Sequence, residues 1–144
     1  MSVLENLKLG SFNGNAHNTD ADIIKYFFYI FPKLNHIRKL LASTLSGGEA
    51  RMLAIARGLM SNAQFLAIDE PTLGLAPILR VEVLNSIGEI HKRGISVLLV
   101  EQNIPQLADI ADRIYLMEEG QIVFSGNKEE ALNSQDLKEV FLGM

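Results

Sequence analysis

Two short apolar runs separated by one amphipathic helix constrain the fold of this chain more than any other feature. Ile95–Val100 (ISVLLV) is apolar except at Ser96 and rich in β-branched residues, as expected of a parallel strand that is covered on both faces. Phe65–Ile68 is a second such run, and after Pro77 the apolar positions recur every three or four residues, up to Gly94. Strands that alternate with helices predict an α/β layered domain with a mainly parallel sheet.

The rest of the chain divides into a helical part and a further part of the α/β core. Apolar periodicity and turn residues predict further helices and strands. The helices are Val3–Leu9, one capped by Thr19 or Asp20 that runs through Ile30, one after Ser46, one from Asn103 through Ala111 and one near Leu137, Val140 and Phe141. The strands are Arg113–Met117 and Gln121–Phe124. We predict an α-helical subdomain over residues 1–60, which ends with the helix after Ser46. Residues 61–144 are predicted to form part of the α/β core.

Charge and composition exclude several classes of function. The net charge of −4 over 144 residues provides no basic field for nucleic-acid phosphates, so no nucleic-acid partner is expected. The chain has no cysteine, which excludes disulfides and thiolate metal sites. No stretch approaches the roughly 18 consecutive apolar residues of a membrane-spanning helix. We therefore expect a cytoplasmic chain whose association with a membrane comes through a partner.

The segment Leu45-Ser46-Gly47-Gly48-Glu49 stands at the start of a predicted helix. Two glycines allow a ligand to approach the backbone closely, and the free N–H groups of a first helical turn attract an anion. Ser46 adds a hydroxyl donor. Taken alone, the same residues fit a glycine-rich helix start with Ser46 as its N-cap.

A second segment, Phe65–Pro71, delivers two adjacent carboxylates, Asp69 and Glu70, at the carboxyl end of a strand. Open α/β sheets bind ligands at this edge. Because successive side chains of a strand point in opposite directions, the two acids are expected to differ in role. In phosphoryl transfer one such acid helps to hold Mg²⁺, while another group orients the attacking water. An exposed acid pair before a proline is the alternative.

The order of these segments resembles that of the ATP-binding cassette (ABC) family. The matching segments are LSGGE, the strand that ends in Asp69-Glu70, Thr72–Pro77 and Val100–Asn103, which stand where the family has its LSGGQ signature, Walker B strand, D-loop and switch loop. The match runs through essentially the whole chain. DEPTLGLAP and VEQN look most like the ATPase subunits of branched-chain amino-acid importers.

The resemblance implies a P-loop ATPase sandwich with a helical signature subdomain, and it implies ATP and Mg²⁺ as cofactors. The implied roles are ATP contact by Ser46, Gly47, Gly48, Glu49 and Gly74, support of Mg²⁺ by Asp69, and catalysis by Glu70 and Gln102. The implied partners are a second ATPase subunit and transmembrane permease subunits. Three positions depart from the family pattern, because Glu49 and Ala50 stand where the family usually has Gln-Gln or Gln-Arg, and Gln102 replaces the switch histidine.

The phosphate-binding (Walker A) strand and loop are absent, because no G-x-x-x-x-G-K-S/T occurs in these residues. We therefore expect an incomplete cassette, with Met1 as an internal methionine of a longer ancestral chain and an empty sheet position between Ile95–Val100 and Arg113–Met117. Three functions remain: the energy-coupling ATPase of an amino-acid importer, a non-catalytic remnant that at most binds partner subunits, and a cassette ATPase not used for transport.

Overall fold

The computed structural model describes residues 1–10, 20–61, 63–102 and 107–134. Its elements are, in chain order, α1 (Val3–Gly10), α2 (Asp20–Ile30), α3 (Pro32–His36), a 3₁₀ turn (Ala42–Thr44), α4 (Gly47–Leu59), β1 (Phe65–Asp69), α5 (Pro77–Lys92), β2 (Ser96–Val100), β3 (Ile114–Glu118), β4 (Gln121–Gly126) and α6 (Lys128–Asn133). The chain divides into two compact units, residues 1–100 and 101–144. The predicted boundary after residue 60 falls inside the first unit and stays a prediction.

The first unit contains a β–α–β arrangement in which β1 and β2 are parallel neighbours. Their register pairs Phe65 with Ser96 and Asp69 with Val100, so the pairing predicted from the two apolar runs is confirmed. One face of this sheet is half-buried and the other is exposed. The other face exposes the side chains of Phe65 (59%) and Leu98 (52%), so the expectation of burial on both faces is wrong for the described residues.

Helices form the apolar core of the first unit. α1 packs against α4 and buries Val3 and Leu7 completely, because these residues lie four positions apart on one helical face. Further buried side chains come from α4 and α5 at helical spacing: Met52, Ile55, Ala56, Leu59, Val83, Ile87 and Ile90. α5 has 16 residues, and no helix of the described part is both long and apolar enough to cross a bilayer.

The aromatic run of α2 contributes to this core at two positions. Phe27 within the helix and Phe31 directly after it are buried, whereas Tyr29 is exposed. The Arg93 guanidinium carbon lies 4.5 Å from the centre of the Tyr26 ring, a cation–π contact that joins α2 to the end of α5. The chain leaves helical geometry at Phe31, and Pro32 begins α3.

The second unit contains an antiparallel hairpin, β3–β4, at the predicted position. Glu118 pairs with Gln121, and the two turn residues Glu119 and Gly120 have φ of 47° and 80°. Positive φ at both central residues is the geometry of a two-residue hairpin turn. The predicted helix start at Asn103 and the residues Leu137, Val140 and Phe141 lie outside the described residues. Among the described residues each unit contains one two-stranded sheet, and the predicted empty sheet position stays a prediction.

Candidate functional site

Ser46 caps α4 and forms a capping box with Glu49. The extended backbone of Ser46 (φ −65°, ψ 162°) lets its side chain fold back onto the first turn. The Glu49 N–H donates to Ser46 Oγ at 3.4 Å. Glu49 Oε2 accepts hydrogen bonds from the Ser46 N–H at 2.8 Å and from the Ser46 hydroxyl at 2.7 Å. The interpretation of Ser46 as an N-cap is therefore confirmed.

The capping box also sets the charge at this helix start. Hydrogen bonds from the Ser46 hydroxyl and from its backbone N–H hold the pKa of the Glu49 carboxyl below its ordinary value. A negative charge in the first turn is further favoured by the helix dipole. Because the hydroxyl already donates to Glu49, Ser46 must release that bond before it donates to a phosphate oxygen. The anion contact expected of Ser46 stays a prediction.

We expect the contribution of Glu49 to the free energy of unfolding to depend on pH. Since its folded pKa is lowered, its contribution is present above the unfolded pKa of about 4.3 and is lost as the pH falls through the lower folded value. The difference in free energy of unfolding between wild type and Glu49→Gln should therefore shrink between pH 7 and pH 3, as measured by urea titration. The other carboxylates titrate equally in both proteins, so their effect cancels in this difference. A difference that stays constant over this range would contradict the assignment.

The two glycines at the start of α4 have different structural roles. The described glycines with positive φ are Gly74, Gly94 and Gly120, so Gly47 and Gly48 need no left-handed freedom. A Cβ on Gly48 would lie 3.1 Å from Leu79 Cδ1, which makes Gly48 the residue that lets α4 approach α5. Gly47 is exposed.

At the carboxyl end of β1 the backbone turns sharply after Asp69. Asp69 is exposed and is the last residue of the strand. Glu70 has φ of 43°, a left-handed conformation that is uncommon for a residue other than glycine, and its N–H donates to the Val100 carbonyl at 2.9 Å. Strand alternation therefore does not set the direction of the Glu70 side chain, which corrects the argument made from sequence. Strain of this kind concentrates at functional sites.

Arg51, which the sequence analysis missed, joins α4 to this turn. Its Nη1 donates to the Glu70 carbonyl oxygen at 3.3 Å. The contact spans two distant parts of the chain, and no local pattern of residues indicates it. Together with the contact between Gly48 and Leu79, it holds the start of α4 against the segment that follows β1.

Gly74 occupies a tight turn in the segment that follows the acid pair. Its φ of 74° lies in the left-handed region that glycine adopts without strain, and the Leu75 N–H closes the turn by donating to the Thr72 carbonyl at 3.1 Å. Arg80 Nε donates to the Leu75 carbonyl at 2.9 Å and fixes the end of the turn. The local backbone thus accounts for Gly74, and its expected contact with ATP stays a prediction.

The remaining candidates are Asp69, which is predicted to support Mg²⁺, and Gln102. The described residues contain no group of three or more His, Cys, Asp or Glu side chains that could enclose a metal ion. One carboxylate still fits Mg²⁺, which takes one or two carboxylates and completes its shell with water and phosphate oxygens. Gln102 is exposed and belongs to the second unit. The roles of Asp69 and Gln102 stay predictions.

The chain is similar in sequence to known proteins. The sequence profile described as ABC transporter matches residues 2–73, which include the capping box and the acid pair. The chain is 38% identical over 143 residues to the high-affinity branched-chain amino acid transport ATP-binding protein BraG of Pseudomonas aeruginosa, covering 99% of this chain and 61% of that protein. It is 34% identical over 155 residues to the probable branched-chain amino acid transport ATP-binding protein LivG of Archaeoglobus fulgidus, covering 99% of this chain and 60% of that protein.

Two further similarities extend the comparison. The lipopolysaccharide export system ATP-binding protein LptB of Haemophilus influenzae is 36% identical over 110 residues, which cover 76% of this chain and 46% of that protein. Among solved structures, the ADP conformation of an ATP-binding cassette of an ABC transporter aligns with a TM-score of 0.74 at 28% identity. That alignment covers 100% of this chain and 63% of the solved chain. The chain thus spans about three fifths of the length of these branched-chain relatives and of this cassette.

Proposed function

This chain belongs to the ABC transporter family, and from that premise we propose that it is part of an ATP-binding and ATP-hydrolysing subunit of an importer for branched-chain or related amino acids. The observation that carries the proposal is the extent of the similarity. The branched-chain relatives match along 99% of the chain, whereas the lipopolysaccharide-export relative matches along 76%. Similarity along nearly all residues favours a substrate of the branched-chain class.

We assign the nucleotide contacts to the segment at the start of α4. Ser46, Gly47, Gly48 and Glu49 would face the terminal phosphate of an ATP held by a second ATPase subunit, and Gly74 would lie at the same interface. The exposed position of Gly47 supports this assignment, because a ligand can reach its backbone. Backbone N–H groups in a first helical turn suit a phosphate oxygen.

We assign catalysis to the residues after β1 and β2. Asp69 would hold Mg²⁺, whose charge would stabilise the phosphate oxygens of bound ATP. Glu70 would accept the proton of the attacking water, and Gln102 would donate a hydrogen bond to the terminal phosphate. The left-handed backbone of Glu70 and its support by Arg51 favour a positioned carboxylate.

The proposed partners are the second ATPase subunit and transmembrane permease subunits. In this arrangement the protein is cytoplasmic and is held at the inner face of the membrane by the permease. A second candidate function, a non-catalytic remnant that at most binds such partners, is favoured by one observation. These residues contain no G-x-x-x-x-G-K-S/T segment to cradle the phosphates.

The 144-residue chain alone is expected to hydrolyse no ATP above the level of its Glu70→Ala variant. The backbone cradle and lysine that bind the β- and γ-phosphates in P-loop ATPases are not among its residues. Phosphate release with Mg²⁺ and ATP measures this. Turnover that Glu70→Ala abolishes would overturn the expectation.

The proposed function is tested in a chimeric cassette, in which these residues replace the matching part of the Pseudomonas aeruginosa relative. The chimeric cassette is expected to hydrolyse ATP and to restore uptake of branched-chain amino acids to cells that lack that relative. Hydrolysis without uptake would contradict the proposed substrate class. A folded chimeric cassette without hydrolysis would support the non-catalytic remnant.

A further inference from the structure

Positive charge is concentrated in one part of this acidic chain. No aspartate or glutamate occurs from Ile23 through Gly48, although the whole chain has 17 acidic and 13 basic residues. The same stretch contains four cationic side chains: Lys25, Lys33, Arg38 and Lys39. A solvated surface with no special partner usually mixes both signs. Lys33 pairs with Glu82 at 4.0 Å, whereas Arg38 and Lys39, at the end of the stretch, have no carboxylate partner in the described part of the chain.

The end of this stretch forms a surface that we call the basic patch: His36, Arg38, Lys39, Leu40 and Leu41. An open concavity of about 410 Å³ is lined by Asn35 and by the first four of these residues. Leu40 and Leu41 follow the cations directly, and their side chains are 50% and 54% exposed. Cationic and apolar side chains thus occupy one continuous segment.

The backbone of the basic patch is held by α1. The Leu4 N–H donates to the Arg38 carbonyl and the Val3 N–H donates to the Leu40 carbonyl, both at 3.0 Å. These two carbonyl groups accept hydrogen bonds from the first N–H groups of α1. The basic patch therefore exposes side chains to solvent, while these backbone groups are paired. In the described part of the chain neither Arg38 nor Lys39 has a carboxylate partner. Arg38 Nη1 donates a hydrogen bond to Asn35 Oδ1 at 3.4 Å.

We propose that the basic patch binds the surface of an anionic lipid bilayer. Arg38 and Lys39 would meet the headgroup phosphates, and Leu40 and Leu41 would enter the boundary between headgroups and acyl chains. An acidic protein surface is the alternative occupant, and we favour the bilayer because cations and two exposed leucines are adjacent, as suits a headgroup boundary. This contact is direct and needs no nucleotide, so it is additional to the membrane association through permease subunits proposed above.

Vesicle flotation with the purified 144-residue chain tests the proposal. Flotation is preferred to sedimentation because aggregated protein does not float. The chain is expected to float with vesicles of phosphatidylcholine containing about 30% phosphatidylglycerol, to stay behind with phosphatidylcholine alone, and to detach at about 0.5 M salt. Arg38→Glu combined with Lys39→Glu should lower the bound fraction at least about tenfold.

Two control variants separate the basic patch from other causes of binding. Arg57→Glu combined with Lys92→Glu changes the net charge equally at exposed positions of α4 and α5, and it is expected to bind like wild type. Leu98→Ser alters the exposed face of the β1–β2 sheet and is expected to have no effect. Circular dichroism checks that each variant is folded.

Three results would overturn the proposal. They are no flotation of the wild-type chain with anionic vesicles, equal flotation with neutral vesicles, and equal loss in the Arg57 and Lys92 control. Loss of binding in Leu98→Ser alone would assign the contact to the open sheet face. If the wild-type chain does not float, the charge of Arg38 and Lys39 would instead indicate an acidic protein surface as the partner.

Discussion

Glu70→Gln in the chimeric cassette is expected to lower the rate of ATP hydrolysis about 100-fold or more, the lower end of a general-base contribution. Glutamine keeps the size of the side chain but cannot accept a proton from water. The variant should leave the turn after β1 in place, because the hydrogen bond from Arg51 to the backbone carbonyl of residue 70 does not depend on the side chain at that position. Steady-state phosphate release measures the rate, and ATP affinity is measured separately.

The matched control for this variant is Glu89→Gln. Glu89 lies on α5 and pairs with Lys92 at 2.8 Å, so the substitution removes one carboxylate away from the turn. Its rate should stay within about twofold of wild type, since surface pairs contribute little to stability. Glu70→Gln should still bind ATP and should accumulate an ATP-bound dimer. A rate near that of wild type would show that Glu70 is not the catalytic carboxylate.

The elements with strong local signals could be predicted from the sequence. Pro77 marks the first turn of α5, and Gly94, with φ of 88°, follows its end. Both are local effects, because proline lacks an N–H and glycine tolerates positive φ. The pairing of β1 with β2 followed from the single helix between two apolar runs.

The exposed face of the β1–β2 sheet could not be predicted in the same way. A continuous apolar strand shows only that its side chains suit burial, whereas the covering elements come from elsewhere in the chain or from another chain. Phe65 and Leu98 remain exposed in the described structure, although their sequence context indicates a strand covered on both sides. An apolar face of this kind favours association with another chain, so we expect the purified 144-residue chain to be oligomeric or partly molten.

The candidate site was predictable at the level of motifs but not of contacts. The spacing of Ser46 and Glu49 is that of a capping box, and the structure places both hydrogen bonds there. The left-handed turn at Glu70 and its bond from Arg51 depend on how α4 packs against the segment after β1. Such tertiary contacts leave no periodic signal in the sequence.

Gly47→Asp in the chimeric cassette is expected to abolish ATP-driven association of ATPase subunits while ATP binding by each subunit persists. The position is exposed, and a Cβ there would lie 3.7 Å from Leu75 Cδ2, which is an ordinary contact. The added carboxylate should therefore leave the fold intact and act through its charge against the phosphate proposed to bind at this helix start. Sedimentation with and without ATP measures association.

Gly47→Asn provides the isosteric control for this prediction, because asparagine has nearly the same size as aspartate and no charge. If repulsion of the phosphate is the cause, the asparagine variant should retain more ATP-driven association than the aspartate variant. High salt should then reduce the difference in association between the two variants, because it screens the charge. Equal loss in both variants would instead indicate that the ligand needs a close approach to the backbone at residue 47. Unchanged association in both would show that Gly47 does not face the nucleotide.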